Sequence, residues 1–377
     1  MNKAVKGIEI SGIRKFFNQI QHIDGMISLT IGQPDFPTPA HIKEAAKDAI
    51  DHNHTNYTHN AGIMELRIAI SHYMKDKYDL TYGAEKEIIV TNGASQAIDT
   101  ALRTILSQGQ EVILPAPVYP GYTPVIKQCG AVPVFVDTTD QHFKMTAEMI
   151  RSHITEKTAC IILPYPSNPT GVSLNGSELK EIADLAREHD LYIIADEIYS
   201  ELTYDETHVS IGTLARERTI VINGLSKSHS MTGWRIGVLM APSEIAEQCL
   251  KVHQYNVSCA SSISQYAALA AYTAGKDDAL PMKEAYRKRR ALTEEKLTEL
   301  GFKVVKPDGA FYFFAGIPGS KNAEQFALGL AEHAKVGVVP GTAFGAEGEG
   351  YIRVSYACSE EQLHEAFNRM KHYLSSH

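Results

Sequence analysis

A lysine stands between two apolar runs in residues 223–237, NGLSKSHSMTGWRIG. The β-branched run 219–222 precedes Lys227, the apolar run 236–240 follows it, and Arg235 lies eight residues beyond it. A buried ammonium group is costly unless it is paired or neutralised, and an imine with an aldehyde would neutralise it. Taken alone, the stretch fits a surface loop with a solvated lysine equally well.

The elements around this lysine alternate between apolar strands and amphipathic helices from residue 87 onward. Because parallel strands joined by helices bury both faces of their sheet, this pattern predicts an α/β fold with a mostly parallel sheet covered by helices on both faces. Strands are predicted at 87–91, 111–114, 132–136, 159–163, 191–195, 219–222 and 236–240.

The pattern changes after Pro242 to long helices, followed by a smaller α+β unit with strands predicted at 303–305, 311–314, 337–339 and 351–355. We therefore expect three segments in the chain. Residues 1–40 form an N-terminal arm and part of a small domain, 41–282 a large domain, and 283–377 the rest of the small domain.

Ligands of such sheets bind beyond the carboxyl ends of the strands. Asp196 ends one predicted strand, where a carboxylate needs a cationic partner and could hold a pyridine nitrogen protonated. A helix N-cap is the alternative role for this residue. Tyr199 lies three residues further on and could donate to a phenolate oxygen in the same site.

Three other strand ends carry candidate ligand-binding residues. Asn168 is in an Asn-Pro turn, possible in cis, that could present its amide inward, although an ordinary turn is equally consistent with it. Tyr119 could stack on a ring or fill the core. The turn at Ala94 and Ser95 opens a helix, whose free amides can hold a phosphate.

Two arginines complete the candidate set. Arg235 could hold the same phosphate in a bidentate manner, or it could form an internal ion pair. Arg353 lies in an otherwise apolar strand and needs an anion there, for which a substrate α-carboxylate or an acidic side chain would serve.

Composition excludes several classes of function. A formal net charge of -8 argues against nucleic acid or an anionic membrane as the main partner. The five scattered cysteines suggest reduced thiols, and the histidines show no metal-ligand spacing, so no metal is expected. Without an N-terminal apolar segment or a long apolar run, we expect a cytoplasmic protein with no membrane span.

The sequence contains Ser226, Lys227, Gly233 and Arg235, together with the motifs N-P-T-G, D-E-x-Y and a late R-V-S. With this set of residues and motifs it resembles the fold-type I PLP-dependent aminotransferases of class I/II. The sequence is most similar to bacillar enzymes that act on N-acetyl-L,L-diaminopimelate. The resemblance implies pyridoxal 5'-phosphate as cofactor, amino-acid and 2-oxo-acid substrates, a two-stage (ping-pong) transamination with 2-oxoglutarate, and a homodimer with shared active sites.

The resemblance also implies a role for each candidate residue. Lys227 would form the imine and carry the proton, Arg353 and the Gly32 backbone would hold the substrate carboxylate, and Asn168 would contact both cofactor and substrate. The remaining cofactor contacts would come from Asp196, Tyr199, Tyr119, Ala94, Ser95, Ser226, Arg235 and, from a second subunit, Tyr57.

Two departures from the family pattern bear on these roles. Gly224 stands where relatives often carry a hydroxyl group, and Ser95 stands where some dicarboxylate-specific relatives carry a lysine. The second departure argues against simple aspartate specificity. Aspartate, aromatic or methionine aminotransferases and a PLP carbon–sulfur β-lyase remain alternatives. A PLP-sensing transcription regulator would need an N-terminal DNA-binding module, for which we expect no room.

Overall fold

A mixed sheet forms the centre of the computed structural model, which describes residues 1, 3–319 and 322–376. Its strands, in spatial order, are Ile88–Thr91, Gly237–Met240, Thr219–Gly224, Tyr192–Asp196, Thr158–Leu163, Glu111–Ala116 and Val132–Asp137. The strands from Thr219–Gly224 to Val132–Asp137 run parallel, whereas Gly237–Met240 is antiparallel to both of its neighbours. The predicted mostly parallel α/β sheet is confirmed.

Helices cover both faces of this sheet because each carries an apolar stripe. In Gly176–Glu188, for example, Leu179, Ile182 and Ala183 are buried, and Asn175 and Glu178 form a capping box at its start. The α-helices are Lys3–Lys6, Gly12–Ile20, Ala40–Asp51, Met64–Tyr78, Ala94–Ile105, Tyr122–Gln128, Ala147–Arg151, Gly176–Glu188, Ser243–Val257, Ser262–Tyr272, Ala279–Glu299, Ala323–Gly329 and Glu360–Ser376. A π-helical turn follows at Leu330–Ala334, and 3₁₀ turns lie at Thr139–Gln141, Ile211–Thr213, Arg216–Arg218, Thr232–Trp234, Gly341–Phe344 and Ala346–Gly348.

The smaller unit contains an antiparallel sheet in the order Val339–Pro340, Tyr351–Ser355, Tyr312–Gly316. The single strand predicted at 337–339 is wrong, because the chain changes sheets at Val338: Val336–Gly337 pairs instead with Ile27–Ser28. The strand predicted at 303–305 is also wrong, since only Lys303 forms a bridge, with Gly316.

The N-terminal segment is hydrogen-bonded into this smaller unit. The amide of Leu29 donates to the carbonyl of Gly337, and the amide of Ser355 donates to the carbonyl of Leu29. These bonds carry residues 30–33 to the carboxyl ends of the large sheet. The predicted boundary at 282–283 falls inside the helix Ala279–Glu299, and the division into domains remains a prediction.

Among the described residues, no helix is both long and apolar enough to cross a membrane.

Candidate active site

A cavity of about 860 Å³ opens at the carboxyl ends of the parallel strands. Every predicted site residue except Arg353 and Tyr57 lines it: Gly32, Ala94, Ser95, Tyr119, Asn168, Asp196, Tyr199, Ser226, Lys227 and Arg235. Eight of them lie at or just after the carboxyl ends of strands that share one direction, and these ends meet at one edge of the sheet. Arg235 reaches the same edge from just before the antiparallel strand Gly237–Met240, and Gly32 reaches it from the N-terminal segment.

Lys227 follows the strand Thr219–Gly224 and projects into this cavity. Its Nζ donates a hydrogen bond of 2.5 Å to the carbonyl oxygen of Gly32 and forms no ion pair among the described residues. Burial, reinforced by the charges of Arg353 and Arg235, lowers the pKa of Lys227 to about 8, although Asp196 opposes this shift. A substantial fraction of neutral amine at physiological pH makes this lysine a nucleophile and a proton acceptor.

Asp196 ends the strand Tyr192–Asp196 and is 7% exposed. Its Oδ2 accepts a hydrogen bond of 2.7 Å from the hydroxyl of Tyr122, and its Oδ1 accepts one of 3.3 Å from the amide of Ile198. Burial raises the pKa of Asp196, and these two hydrogen bonds act against the increase. A buried carboxylate without an ion-pair partner among the described residues is suited to a cationic ligand group.

A pair of tyrosines lies beside Lys227. The hydroxyl groups of Tyr199 and Tyr312 are 2.9 Å apart, and the ring of Tyr199 is 5.7 Å from Nζ of Lys227. Burial raises the pKa of Tyr199 well above its ordinary value, so its hydroxyl stays protonated and can donate to a ligand oxygen.

Arg353 lies behind the cavity wall and is 2% exposed. Its Nη1 donates to Oδ1 of Asn168 at 2.9 Å, and its Nη2 donates to the carbonyl of Thr30 at 2.7 Å. Its Nε has no hydrogen-bond partner, and no acidic side chain among the described residues pairs with the guanidinium group. The internal salt bridge considered as an alternative is therefore wrong, and the charge calls for an anionic ligand.

Asn168 is oriented by this arginine and by its own backbone. The peptide bond between Asn168 and Pro169 is cis, in agreement with the tight turn expected from the sequence. Because the amide oxygen accepts from Arg353, the Nδ2 group is the part that can donate to a ligand.

An anion-binding corner forms where the helix Ala94–Ile105 begins. Its first amides lack intrahelical partners, and Gly93, before it, has a φ of +78°. A Cβ atom built on Gly93 would lie 2.3 Å from Nη2 of Arg235, so the guanidinium group packs directly against this turn. The helix N-terminus and Arg235 together suit a phosphate group.

The backbone around Gly224 explains why no hydroxyl residue stands there. A Cβ atom at Gly224 would lie 2.9 Å from the carbonyl oxygen of Ile236 and 3.1 Å from Cα of Gly237. A Cβ at Gly237 would in turn lie 2.5 Å from the amide nitrogen of Ala94. The two glycines allow the strands to approach the anion-binding corner closely.

Tyr57 does not line the cavity of its own chain and is 89% exposed. Gly32 does line it. Its carbonyl oxygen accepts from Lys227, and its amide is the group that can donate to a carboxylate.

Sequence reasoning missed Tyr122, Tyr312 and Arg14, all of which bear on the site. Tyr122 follows Tyr119 by three residues, and the two rings make an edge contact with centroids 5.6 Å apart. Tyr312 is buried within a strand and resembles an ordinary core residue. Arg14 lines the cavity from the N-terminal helix. Within the described part of the chain no cluster of potential metal ligands occurs.

Comparison with known proteins extends over almost the whole chain. The family model "Aminotransferase class I and II" matches residues 24–370. A Bacillus subtilis protein named "Probable N-acetyl-LL-diaminopimelate aminotransferase" is 58% identical over 98% of this chain and 95% of its own. "Aromatic-amino-acid aminotransferase 2" of Thermococcus litoralis is 42% identical, with 99% and 98% covered. The structure of aspartate aminotransferase from Thermus thermophilus with maleate superposes with a TM-score of 0.93 at 37% identity, covering 99% of both chains.

Proposed function

Because this chain belongs to the class I and II aminotransferases, which depend on pyridoxal 5'-phosphate, we propose that it moves an amino group between N-acetyl-L,L-diaminopimelate and 2-oxoglutarate, in either direction. Lys227 would be the catalytic residue. One observation carries the assignment of this residue: a lysine with a pKa of about 8 shares a cavity with Asp196 and Arg235, and the unpaired charge of Arg353 lies behind the wall of that cavity.

The residues present fit the cofactor at both of its polar ends. The amides of Ala94 and Ser95, with Ser226 and Arg235, would hold the phosphate, because all four residues line the cavity where the helix Ala94–Ile105 begins and Arg235 packs against Gly93 there. Asp196 would hold the protonated pyridine nitrogen, since it is a buried carboxylate whose charge has no ion-pair partner among the described side chains.

Two donors and a flat side chain would fix the middle of the cofactor. Nδ2 of Asn168 and the hydroxyl of Tyr199 can donate to its phenolic oxygen, and Tyr119 would lie against a face of its ring. When bound, pyridoxal phosphate supplies an aldehyde that condenses with amines and a ring that withdraws electrons from the substrate Cα.

The protein side of the reaction is then positioning and proton transfer. Arg353 holds the substrate α-carboxylate through its planar fork, which orients the Cα–H bond toward Nζ of Lys227. A pKa of about 8 allows Nζ to accept the Cα proton near neutral pH. The same amine would then donate this proton to a different carbon. The 2-oxo acid would run the same steps in reverse, which makes the reaction ping-pong.

The identity of the amino donor is supported by the 58% identical relative and by the volume of the cavity. At about 860 Å³ the cavity has room for a long substrate beside the cofactor. The absence of a lysine at Ser95 also favours a donor other than aspartate.

A homodimer with shared sites is part of the proposal. The exposed Tyr57 would reach the phosphate of a second copy, because it has no access to the cavity of its own chain. Sedimentation of the protein should then give twice the chain mass. The cytoplasmic location remains a prediction. The free cysteines of the structure are consistent with it, because thiols stay reduced in the cytoplasm.

A donor panel tests this function. The purified protein with pyridoxal phosphate and 2-oxoglutarate is offered N-acetyl-L,L-diaminopimelate, aspartate, phenylalanine or methionine, and glutamate formation is measured. We expect the highest kcat/KM for the acetylated donor and none with Lys227→Ala. Turnover of aspartate alone would refute the substrate and leave the class intact. Release of pyruvate from cystathionine without a 2-oxo acid would indicate a β-lyase instead.

A further inference from the structure

Arg14 lines the active-site cavity from the helix Gly12–Ile20. Its side chain is exposed and has no hydrogen-bond or ion-pair partner within residues 1, 3–319 and 322–376. The neighbouring cation, Lys15, pairs with Glu9 at 2.9 Å and does not line this cavity. Arg14 is thus a cation that faces the substrate space without an anion of its own.

Arg14 is the charged residue of the described cavity wall to which the proposed function assigns no ligand group. In the proposed function, Arg235 holds the phosphate, Asp196 the pyridine nitrogen, Lys227 the reacting carbon and Arg353 the α-carboxylate. Of the charged groups in the described cavity wall, only Arg14 remains. A second anionic group on the substrate would complete the pairing.

The helix that carries Arg14 is anchored close to the α-carboxylate end of the site. A Cβ atom built on Gly12 would lie 2.9 Å from Cα of Ala343, so the helix start packs tightly against that turn. The next residue, Phe344, places its ring 5.0 Å from the guanidinium carbon of Arg353. The helix that carries Arg14 and the side chain of Arg353 therefore pack against the same turn, at residues 343–344.

The surroundings of Arg14 suit a chain with an apolar middle. Ile13 and Phe17 of the same helix line the cavity with it, as does Ile31 from the N-terminal segment. Apolar side chains next to an arginine favour a substrate whose methylene groups end in a carboxylate. The methylene groups would be removed from water by the apolar side chains, and the carboxylate would pair with the arginine.

We propose that Arg14 is a specificity residue that binds the distal carboxylate of a long dicarboxylic amino donor. The inference rests on the proposed function and deepens it, since it names the residue that selects the substrate class. An arginine in this role would distinguish a donor with two carboxylates from one whose chain ends in a methyl group.

Two donors of equal chain length test the role of Arg14. L-2-aminopimelate carries the distal carboxylate, and L-2-aminoheptanoate carries a methyl group in its place. Single turnovers of the cofactor-loaded protein with each donor alone are followed by absorbance, so that no acceptor carboxylate takes part. We expect Arg14→Gln to reduce the rate constant for aminopimelate about tenfold relative to aminoheptanoate, the size of one charge-assisted hydrogen bond.

Lys15→Gln is the matched control, because it removes the same charge one residue away and should leave the preference between the donors unchanged. Calorimetric binding of pimelate and heptanoate provides a readout that needs no turnover: Arg14→Gln should weaken pimelate alone. Equal losses for both donors, or no loss, would overturn the role of Arg14. If the wild type binds pimelate through Arg14 but turns over neither donor, the proposed function fails and the anion site stands.

Discussion

The hydroxyl group of Tyr122 donates a hydrogen bond of 2.7 Å to Oδ2 of Asp196, and both side chains are buried. Asp196 forms no ion pair with the described side chains, so this bond and the amide of Ile198 stabilise its negative charge before the cofactor binds. Tyr122 is therefore a positioning residue for Asp196.

Replacing Tyr122 by phenylalanine should destabilise the cofactor-free protein by about 1–3 kcal/mol at pH 8, because a buried carboxylate oxygen loses its donor. The folded-state pKa of Asp196 already exceeds its unfolded value, and the variant should raise it further. A raised folded-state pKa means that the folded protein loses stability as pH rises through that pKa, and the variant loses more than the wild type. The difference in the free energy of unfolding between the two proteins should therefore shrink in acid. Urea unfolding of both proteins at a series of pH values from 4 to 8 measures this difference in stability.

Tyr165→Phe is the control for this prediction. Its hydroxyl is buried as well but accepts from the amide of Met145, away from the cavity. The loss of stability in Tyr165→Phe should not depend on the charge of Asp196, and this variant should bind pyridoxal phosphate with unchanged affinity. A loss of stability of the same size at every pH from 4 to 8 for Tyr122→Phe would refute the link to Asp196.

Replacing Lys227 by methionine should abolish turnover and yet stabilise the cofactor-free protein at pH 7. The depressed pKa of about 8 means that folding opposes the charged ammonium group. Because water reaches the cavity and screens the ammonium charge, the gain in stability should be about 1–2 kcal/mol. The gain should be complete below pH 8 and become small at pH 10.5, where the lysine is neutral in the folded state and half neutral in the unfolded state. Denaturant melts at pH 7 and pH 10.5 give the difference, and an unchanged gain at pH 10.5 would contradict it.

Replacing Arg353 by lysine should lower kcat/KM for the amino donor by about 10- to 100-fold, since lysine cannot contact a carboxylate with a planar fork. The affinity for pyridoxal phosphate should remain close to that of the wild type. Arg290→Lys serves as control: Arg290 is 4% exposed and pairs with Asp205 outside the cavity. A loss of activity in both variants would indicate a structural effect.

Replacing Gly224 by serine should weaken cofactor binding, although it adds the hydroxyl that relatives often carry. The new Cβ would press on the carbonyl of Ile236 at 2.9 Å and force the two strands apart. We expect a loss of stability of about 1–3 kcal/mol and a higher dissociation constant for pyridoxal phosphate, measured by fluorescence titration. Gly233→Ser, with no heavy atom within 4 Å of its added Cβ, should change neither. Tighter binding by Gly224→Ser would disprove the steric explanation.

The sequence alone determined the α/β sheet and the meeting of Lys227, Asp196, Asn168 and Arg235 near one cavity. Local pattern suffices for this, because apolar runs that alternate with amphipathic helices produce parallel strands, and parallel strands bring their carboxyl ends to one edge. The residues at those ends could therefore be identified from the sequence as candidates for one site.

Only the tertiary structure decided what Arg353, Tyr122 and Gly224 contact, and that Arg14 lines the cavity. Arg353 meets Thr30 across 323 residues of sequence and Asn168 across 185, and Tyr122 meets Asp196 across 74. Such contacts depend on how one unit packs on another, which no local periodicity records. For the same reason the chain at 336–340 is divided between two sheets, a result of pairing with Ile27–Ser28 rather than of its own composition.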